Sequence, residues 1–213
     1  MTPAEMSAHL RVVFQKAPVI PVLVIEDAAS AADLARALVA GGLPILEITL
    51  RTDAALAAIT AMAAVEGAIV GAGTVLTPSD AEAAKRAGAT FAVSPGATPE
   101  LIDACIALDL PILPGAVTPS EAMALNAYGF DLLKFFPAEP YGGVATLKAL
   151  AGPLPRISFC PTGGITEASA PSYLALPTVP CVGGSWVAPA AMVRAGDWAG
   201  ITALAAKASS LKG

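Results

Sequence analysis

One histidine, three cysteines and no cluster of positive charge leave this chain few routes to chemistry. His9 sits in an amphipathic N-terminal helix pattern, far from any motif, and is expected at the surface. Without a His pair or a Cys/His spacing, neither a zinc site nor a catalytic triad has residues to build from. Cys105, Cys160 and Cys181 are odd in number and widely spaced, which argues against a disulfide framework. Cys160 and Cys181 fall in strand-like segments and are expected to be small core residues. Pro, Thr, Asp, Glu or Gly interrupts every apolar stretch before the ~18 residues of a membrane span, so no span is expected. The opening MTPAEMSAHLRVVFQK lacks a basic start followed by a continuous apolar core. No secretory signal is expected there, and the cytoplasm is the expected address. Net charge is −5, and the three Tyr and six Phe do not interleave with Lys or Arg. Nucleic acid is therefore not an expected partner, and an anionic metabolite must be held locally by a few placed donors.

What the 213 residues do contain is a regular alternation. Short apolar strands are expected near 19–25, 45–51, 68–75, 91–95, 111–115, 132–137, 156–161 and 179–184. Alanine-rich helical patterns fill 28–41, 53–65, 78–88, 99–108, 119–128, 143–151, 166–175 and 189–208, with an extra helix near 3–15. Eight strand–helix units predict an α/β fold with a parallel sheet, closed as a (β/α)8 TIM barrel in one domain over 1–213. An open doubly wound sheet is the alternative. It is disfavoured because no G-x-G-x-x-G lies between a first strand and its helix. Thr77-Pro78, Thr98-Pro99 and Thr118-Pro119 recur at about 20-residue spacing after strands, where Thr caps a helix and Pro fits its first position. Thr118 and Glu121 have capping-box spacing. These pairs are helix starts and are assigned no chemistry.

Charge interrupts the apolar pattern at two strands. In DLLKFFPAE, residues 131–139, Lys134 lies inside an otherwise apolar run. A lone buried amine is costly. Lys134 is therefore either a catalytic amine, since desolvation favours the nucleophilic neutral form, or half of a buried ion pair. In ILEITLR, alternation puts Ile45, Glu47, Thr49 and Arg51 on the inward face. Polar side chains toward the C-terminal end of a barrel strand point to an active site. Glu47 and Arg51 stand roughly 13 Å apart along a strand, too far for easy pairing within it. If Lys134 also points inward, an amine and a carboxylate share the lumen as nucleophile and proton shuttle. CPTGGIT and CVGGSW end the seventh and eighth strands. Glycine pairs there, with a helix N-terminus, suit a phosphate, and Thr162, Gly163, Gly164, Gly184 and Ser185 fit that role.

The ordered set ILEITLRT, GAGTV, FAVSPG, ILPGAVTPSE, LLKFFPAE, FCPTGGI and CVGGSW closely resembles the bacterial 2-dehydro-3-deoxy-6-phosphogluconate (KDPG/KHG) aldolase family over about residues 19–198. The resemblance implies a metal-free, cofactor-free class I aldolase, generally a homotrimer on a (β/α)8 barrel. It implies that Lys134 forms the Schiff base with a phosphorylated 2-keto sugar acid, releasing D-glyceraldehyde 3-phosphate and then pyruvate. It further implies that Glu47 moves the protons and Arg51 binds the 2-keto carboxylate. Thr74 would be a second substrate contact, with Pro95 and Phe136 lining the pocket and Gly163, Gly164, Gly184 and Ser185 at the phosphate end. Two related activities stay open, on the 6-phosphogalactonate epimer or on 4-hydroxy-2-oxoglutarate. A barrel that only binds a phosphorylated ligand is a further alternative, but it gives no reason to bury Lys134 with Glu47.

Overall fold

The structure, a computed structural model, describes residues 1–211. Its strands are β1 Val19–Leu23, β2 Ile45–Thr49, β3 Ile69–Gly73, β4 Phe91–Val93, β5 Ile112–Leu113, β6 Gly115–Ala116, β7 Leu132–Phe135, β8 Ser158–Pro161 and β9 Val182–Gly184. The helices are α1 Pro3–Phe14, α2 Ala31–Ala40, α3 Ala55–Ala63, α4 Pro78–Ala87, α5 Pro99–Ala107, α6 Pro119–Tyr128, α7 Gly143–Ala151, α8 Ala170–Leu174, α9 Ala190–Ala195 and α10 Trp198–Ser209. Every strand pairing is parallel. Parallel neighbours need a crossover, and the alanine-rich helices supply it.

The expected single closed ladder is instead a curled six-stranded sheet, ordered β5-β4-β3-β2-β1-β9, and a three-stranded sheet, β6-β7-β8. The interruption has a physical cause. The fifth expected strand is cut in two at Pro114, which has no N–H to give to a ladder. Its carbonyl still accepts from the Lys134 N–H at 2.9 Å. At the other seam, a parallel bridge pairs Thr162 with Gly183.

The Thr-Pro pairs start helices as expected. The side chains of Thr77, Thr98 and Thr118 accept from the N–H three residues on, and Thr77–Asp80 and Thr118–Glu121 form full capping boxes. Two expected helices come out differently. The last, 189–208, is broken at Gly196, whose φ of +66° is left-handed, and Asp197 then caps α10 through the Gly200 N–H. The one expected over 166–175 keeps only α8, because Thr166 and Ser169 bond each other's side chains and backbone and hold a turn before it.

The extra helix α1 covers the N-terminal ends of the strands. Arg11 donates to the Asp131 carbonyl at 2.7 Å and to the Ser158 hydroxyl at 2.9 Å, and pairs with the Asp131 carboxylate at 3.0 Å. Phe14 meets the Phe91 ring edge-on, with centroids 5.5 Å apart. His9 on this helix is exposed. With that end closed by apolar packing, the C-terminal ends of the strands are left for chemistry.

Candidate active site

Register decides which side chains meet. Glu47 pairs with Val22 on one side and Gly71 on the other, and Lys134 pairs with Gly115 and Cys160. Laterally paired residues in a parallel sheet project to the same face. Lys134 and Glu47, on β7 and β2, converge. Lys134 Nζ lies 3.1 Å from Glu47 Oε1, with side chains 6% and 5% exposed. The Phe136 ring centre is 5.4 Å from the same nitrogen. Both partners of this pair have lost water, so each depends on the other for a hydrogen bond.

Glycines make the room. A Cβ at Gly73 would collide with Glu47 Oε1 and lie 2.7 Å from its Cγ. Gly115 lies so close under the Pro95 carbonyl that a side chain would strike it, and Gly183 lies in the same way under the Thr162 hydroxyl. These three glycines on β3, β6 and β9 were not among the expected site residues. The signal was present, since each falls on the inward parity of its strand.

Arg51 corrects the sequence argument. β2 ends at Thr49, so alternation does not carry Arg51 into the lumen. It is exposed in the bend beyond the strand and makes no ion pair among the described residues. Glu47 pairs with Lys134, and Arg51 is not its competitor. Two hydroxyls tie this strand end to the β1 end: Thr49 donates to the Leu23 carbonyl at 3.0 Å and Thr52 to the Ile25 carbonyl at 2.5 Å. Thr74 sits at the end of β3, linked to the same rim by the Leu50 N–H to Gly73 carbonyl bond at 2.8 Å. Its φ is +57°. A β-branched residue in the left-handed region is strained, and such strain is found where geometry serves a site.

The two glycine loops differ. The β7 and β8 loops run side by side, Ala138 N–H donating to Thr162 at 2.8 Å and Glu139 N–H to Gly163 at 3.0 Å. Gly163 and Gly164 take φ of +106° and +79°. A Cβ at Gly163 would lie 3.3 Å from the Phe136 ring, so this loop adjoins the amine pocket. Among the described residues, the N–H groups of Gly164, Ser185 and Trp186 donate to no protein acceptor, whereas the parallel bridge at Thr162–Gly183 turns the Gly163 N–H to the Gly183 carbonyl. Gly184 has a packing role instead: the Trp186 ring lies where its side chain would be. Neither loop is itself a helix start, since α8 and α9 begin six and five residues after Gly164 and Ser185. The expected helix dipole contribution therefore falls away, and the backbone amides are the donors present. Ser185 also borders a cavity of about 600 Å³ that opens beside the end of β1, between residues such as Ile25 and Leu34 and the α9 residues Val193 and Arg194. That cavity does not reach Lys134.

Cys160, the register partner of Lys134, and Cys181 bring their sulfurs to 3.1 Å, both as free thiols. The hydrogen bond shared with Cys160, burial and the charges of Cys160 and Glu47 hold the Cys181 thiol well above its ordinary pKa, so it stays uncharged. Among the described residues no three His, Cys, Asp or Glu side chains converge as a metal site, and no helix is long and apolar enough to cross a membrane.

Residues 10–204 match the family model "KDPG and KHG aldolase". A curated relative, 2-dehydro-3-deoxy-phosphogluconate aldolase of Zymomonas mobilis, is 52% identical over 200 residues, covering 94% of this chain and 95% of its own. A crystal structure of the Zymomonas mobilis ZM4 2-keto-3-deoxy-6-phosphogluconate aldolase with 3-phosphoglycerate superposes with a TM-score of 0.92, at 50% identity and 97% coverage of both chains. The Legionella pneumophila KDPG aldolase, with pyruvate captured as a covalent carbinolamine, gives a TM-score of 0.91 at 44% identity, covering 94% of this chain and 98% of that one.

Proposed function

The chain belongs to the KDPG and KHG aldolase family, and on that premise we propose that it is a class I aldolase cleaving 2-dehydro-3-deoxy-6-phosphogluconate to pyruvate and D-glyceraldehyde 3-phosphate. The observation that carries the reading is the buried contact between Lys134 Nζ and Glu47 Oε1 at 3.1 Å. A carboxylate at that distance can take a proton from the amine and return it.

Lys134 attacks the C2 ketone, and the carbinolamine loses water to give an iminium. Electrons of the C3–C4 bond flow into the iminium as the C4 hydroxyl gives up its proton and the aldehyde leaves. The enamine is protonated at C3, and water then releases pyruvate and restores the amine. Glu47 moves the proton at each stage. Arg51, a planar fork with no competing carboxylate, binds the 2-keto carboxylate. Thr74 makes a second contact at the same rim, and Pro95 and Phe136 wall the pocket. Thr162, Gly163, Gly164, Gly184 and Ser185 form the phosphate end. The unengaged amides of Gly164 and Ser185 support that role; Gly184 serves it by seating Trp186.

The two sheets read as one closed (β/α)8 barrel over the whole chain. Support comes from the bridge at Thr162–Gly183 and the Lys134 to Pro114 bond at the two seams. A homotrimer working in the cytoplasm, without metal or cofactor, completes the reading.

The test is borohydride reduction in the presence of pyruvate. One covalent adduct at Lys134 is expected, with activity surviving EDTA. No adduct, or an adduct at another lysine, overturns the proposal. Pyruvate release from the two phosphorylated C4 epimers, assayed side by side, reads the substrate.

A further inference from the structure

Behind the β8 loop, Tyr173 and Glu139 form a pair that the aldolase reading does not use. Tyr173, on α8, is 1% exposed. Its hydroxyl donates to Glu139 Oε1 at 2.7 Å. Burial, then the hydrogen bond and charge of Glu139, push this phenol well above its ordinary pKa, so it acts as a donor throughout the working range.

Glu139 is tied to the glycine loop on two sides. Its N–H donates to the Gly163 carbonyl at 3.0 Å. Its stem stands against Gly164, where an added Cβ would lie 2.8 Å from Glu139 Cβ. Tyr173 in turn rests on Gly143, where an added Cβ would lie 2.5 Å from the phenol oxygen. A carboxylate is thus anchored immediately beside the loop amides, of which that of Gly164 has no protein acceptor. Left free to turn, it would reach those amides or repel an arriving anion. The phenol engages one of its two oxygens.

We propose that Tyr173 is a positioning residue: its hydroxyl draws the Glu139 carboxylate away from the Gly163–Gly164 loop and so keeps the loop amides open to the phosphate of the substrate. The proposal rests on the reading that this loop takes the phosphate.

Steady-state kinetics with 2-dehydro-3-deoxy-6-phosphogluconate and with its analogue lacking the phosphate provide the test. Tyr173→Phe frees the carboxylate. KM for the phosphorylated substrate should rise about 3–10-fold, the worth of one ordinary hydrogen bond. kcat, and all parameters for the unphosphorylated analogue, should stay at wild-type values. Glu139→Asp keeps the charge but shortens its reach to the phenol, and should raise the same KM without touching the buried ring. Tyr173→Phe combined with Glu139→Gln removes the charge and should restore KM. The proposal fails if Glu139→Asp leaves KM unchanged, if the double variant gives no rescue, or if both substrates lose equally. A wild-type enzyme that handles both substrates alike overturns the phosphate reading itself and the clamp with it. A wild-type preference for the phosphorylated substrate, with unchanged variants, sinks the clamp alone.

Discussion

Glu47 occupies the volume that a side chain at position 73 would need: its carboxylate lies over Gly73, and its Cγ would be 2.7 Å from an added Cβ. Gly73→Ala must therefore move the carboxylate, and with it the 3.1 Å contact to Lys134. Turnover should fall on the order of 10–10²-fold, because a misplacement of about 1 Å is expensive in a positioned proton transfer. Overpacking should also lower stability by about 1–3 kcal/mol. Paired measurements of kcat and denaturant midpoint check both, and full activity in this variant would separate Glu47 from the chemistry.

Glu47→Gln keeps the volume and a hydrogen-bonding oxygen near Lys134 but removes the titrating group. Turnover should drop on the order of 10²–10⁴-fold. The fold should persist, as a circular dichroism spectrum would record. Wild-type turnover would put the proton shuttle elsewhere.

Arg51 is exposed and makes no ion pair among the described residues, so Arg51→Gln should change stability by no more than about 0.5 kcal/mol. Its effect should appear in substrate affinity instead, with KM rising about 10-fold or more as the carboxylate loses a bidentate partner. Thermal melts alongside saturation curves separate the two effects, and an unchanged KM would remove Arg51 from the site.

Stability should also carry an acid-sensitive contribution from the α6 cap. Glu121 accepts the Val117 and Thr118 N–H groups at 2.9 and 2.8 Å. The Val117 bond above all, with the Thr118 contacts, holds its carboxyl below the ordinary carboxylate range, against a smaller opposing effect of burial. A group lowered on folding stabilises above its unfolded pKa, about 4.3. That contribution is lost as pH falls through the folded value. Glu121→Gln should therefore melt below wild type at neutral pH, and the gap should close in acid. A gap that widens in acid would contradict this sign.

The cap at Glu121 was legible in sequence because a capping box spans only four residues. Glu47 and Lys134 were legible for a related reason: a charge inside an apolar run on a strand of period two declares its face. The same alternation does not extend to Arg51, because β2 ends at Thr49 and periodicity carries no mark of where a strand stops. Pro114 shows the converse, a single residue whose missing N–H splits a strand that hydropathy runs straight through.

The order of strands and helices, the caps at the Thr-Pro pairs and the inward parity of Glu47 and Lys134 were determined by the sequence alone, because each depends on neighbours within a few positions. Tertiary structure decided the rest: the 3.1 Å meeting of Lys134 with Glu47, the glycines cleared for the Glu47 and Thr162 side chains, and the bond from Tyr173 to Glu139. Those depend on the registers that bring residues 21 to 87 positions apart in the chain to one place, and local spacing carries no information about that distance.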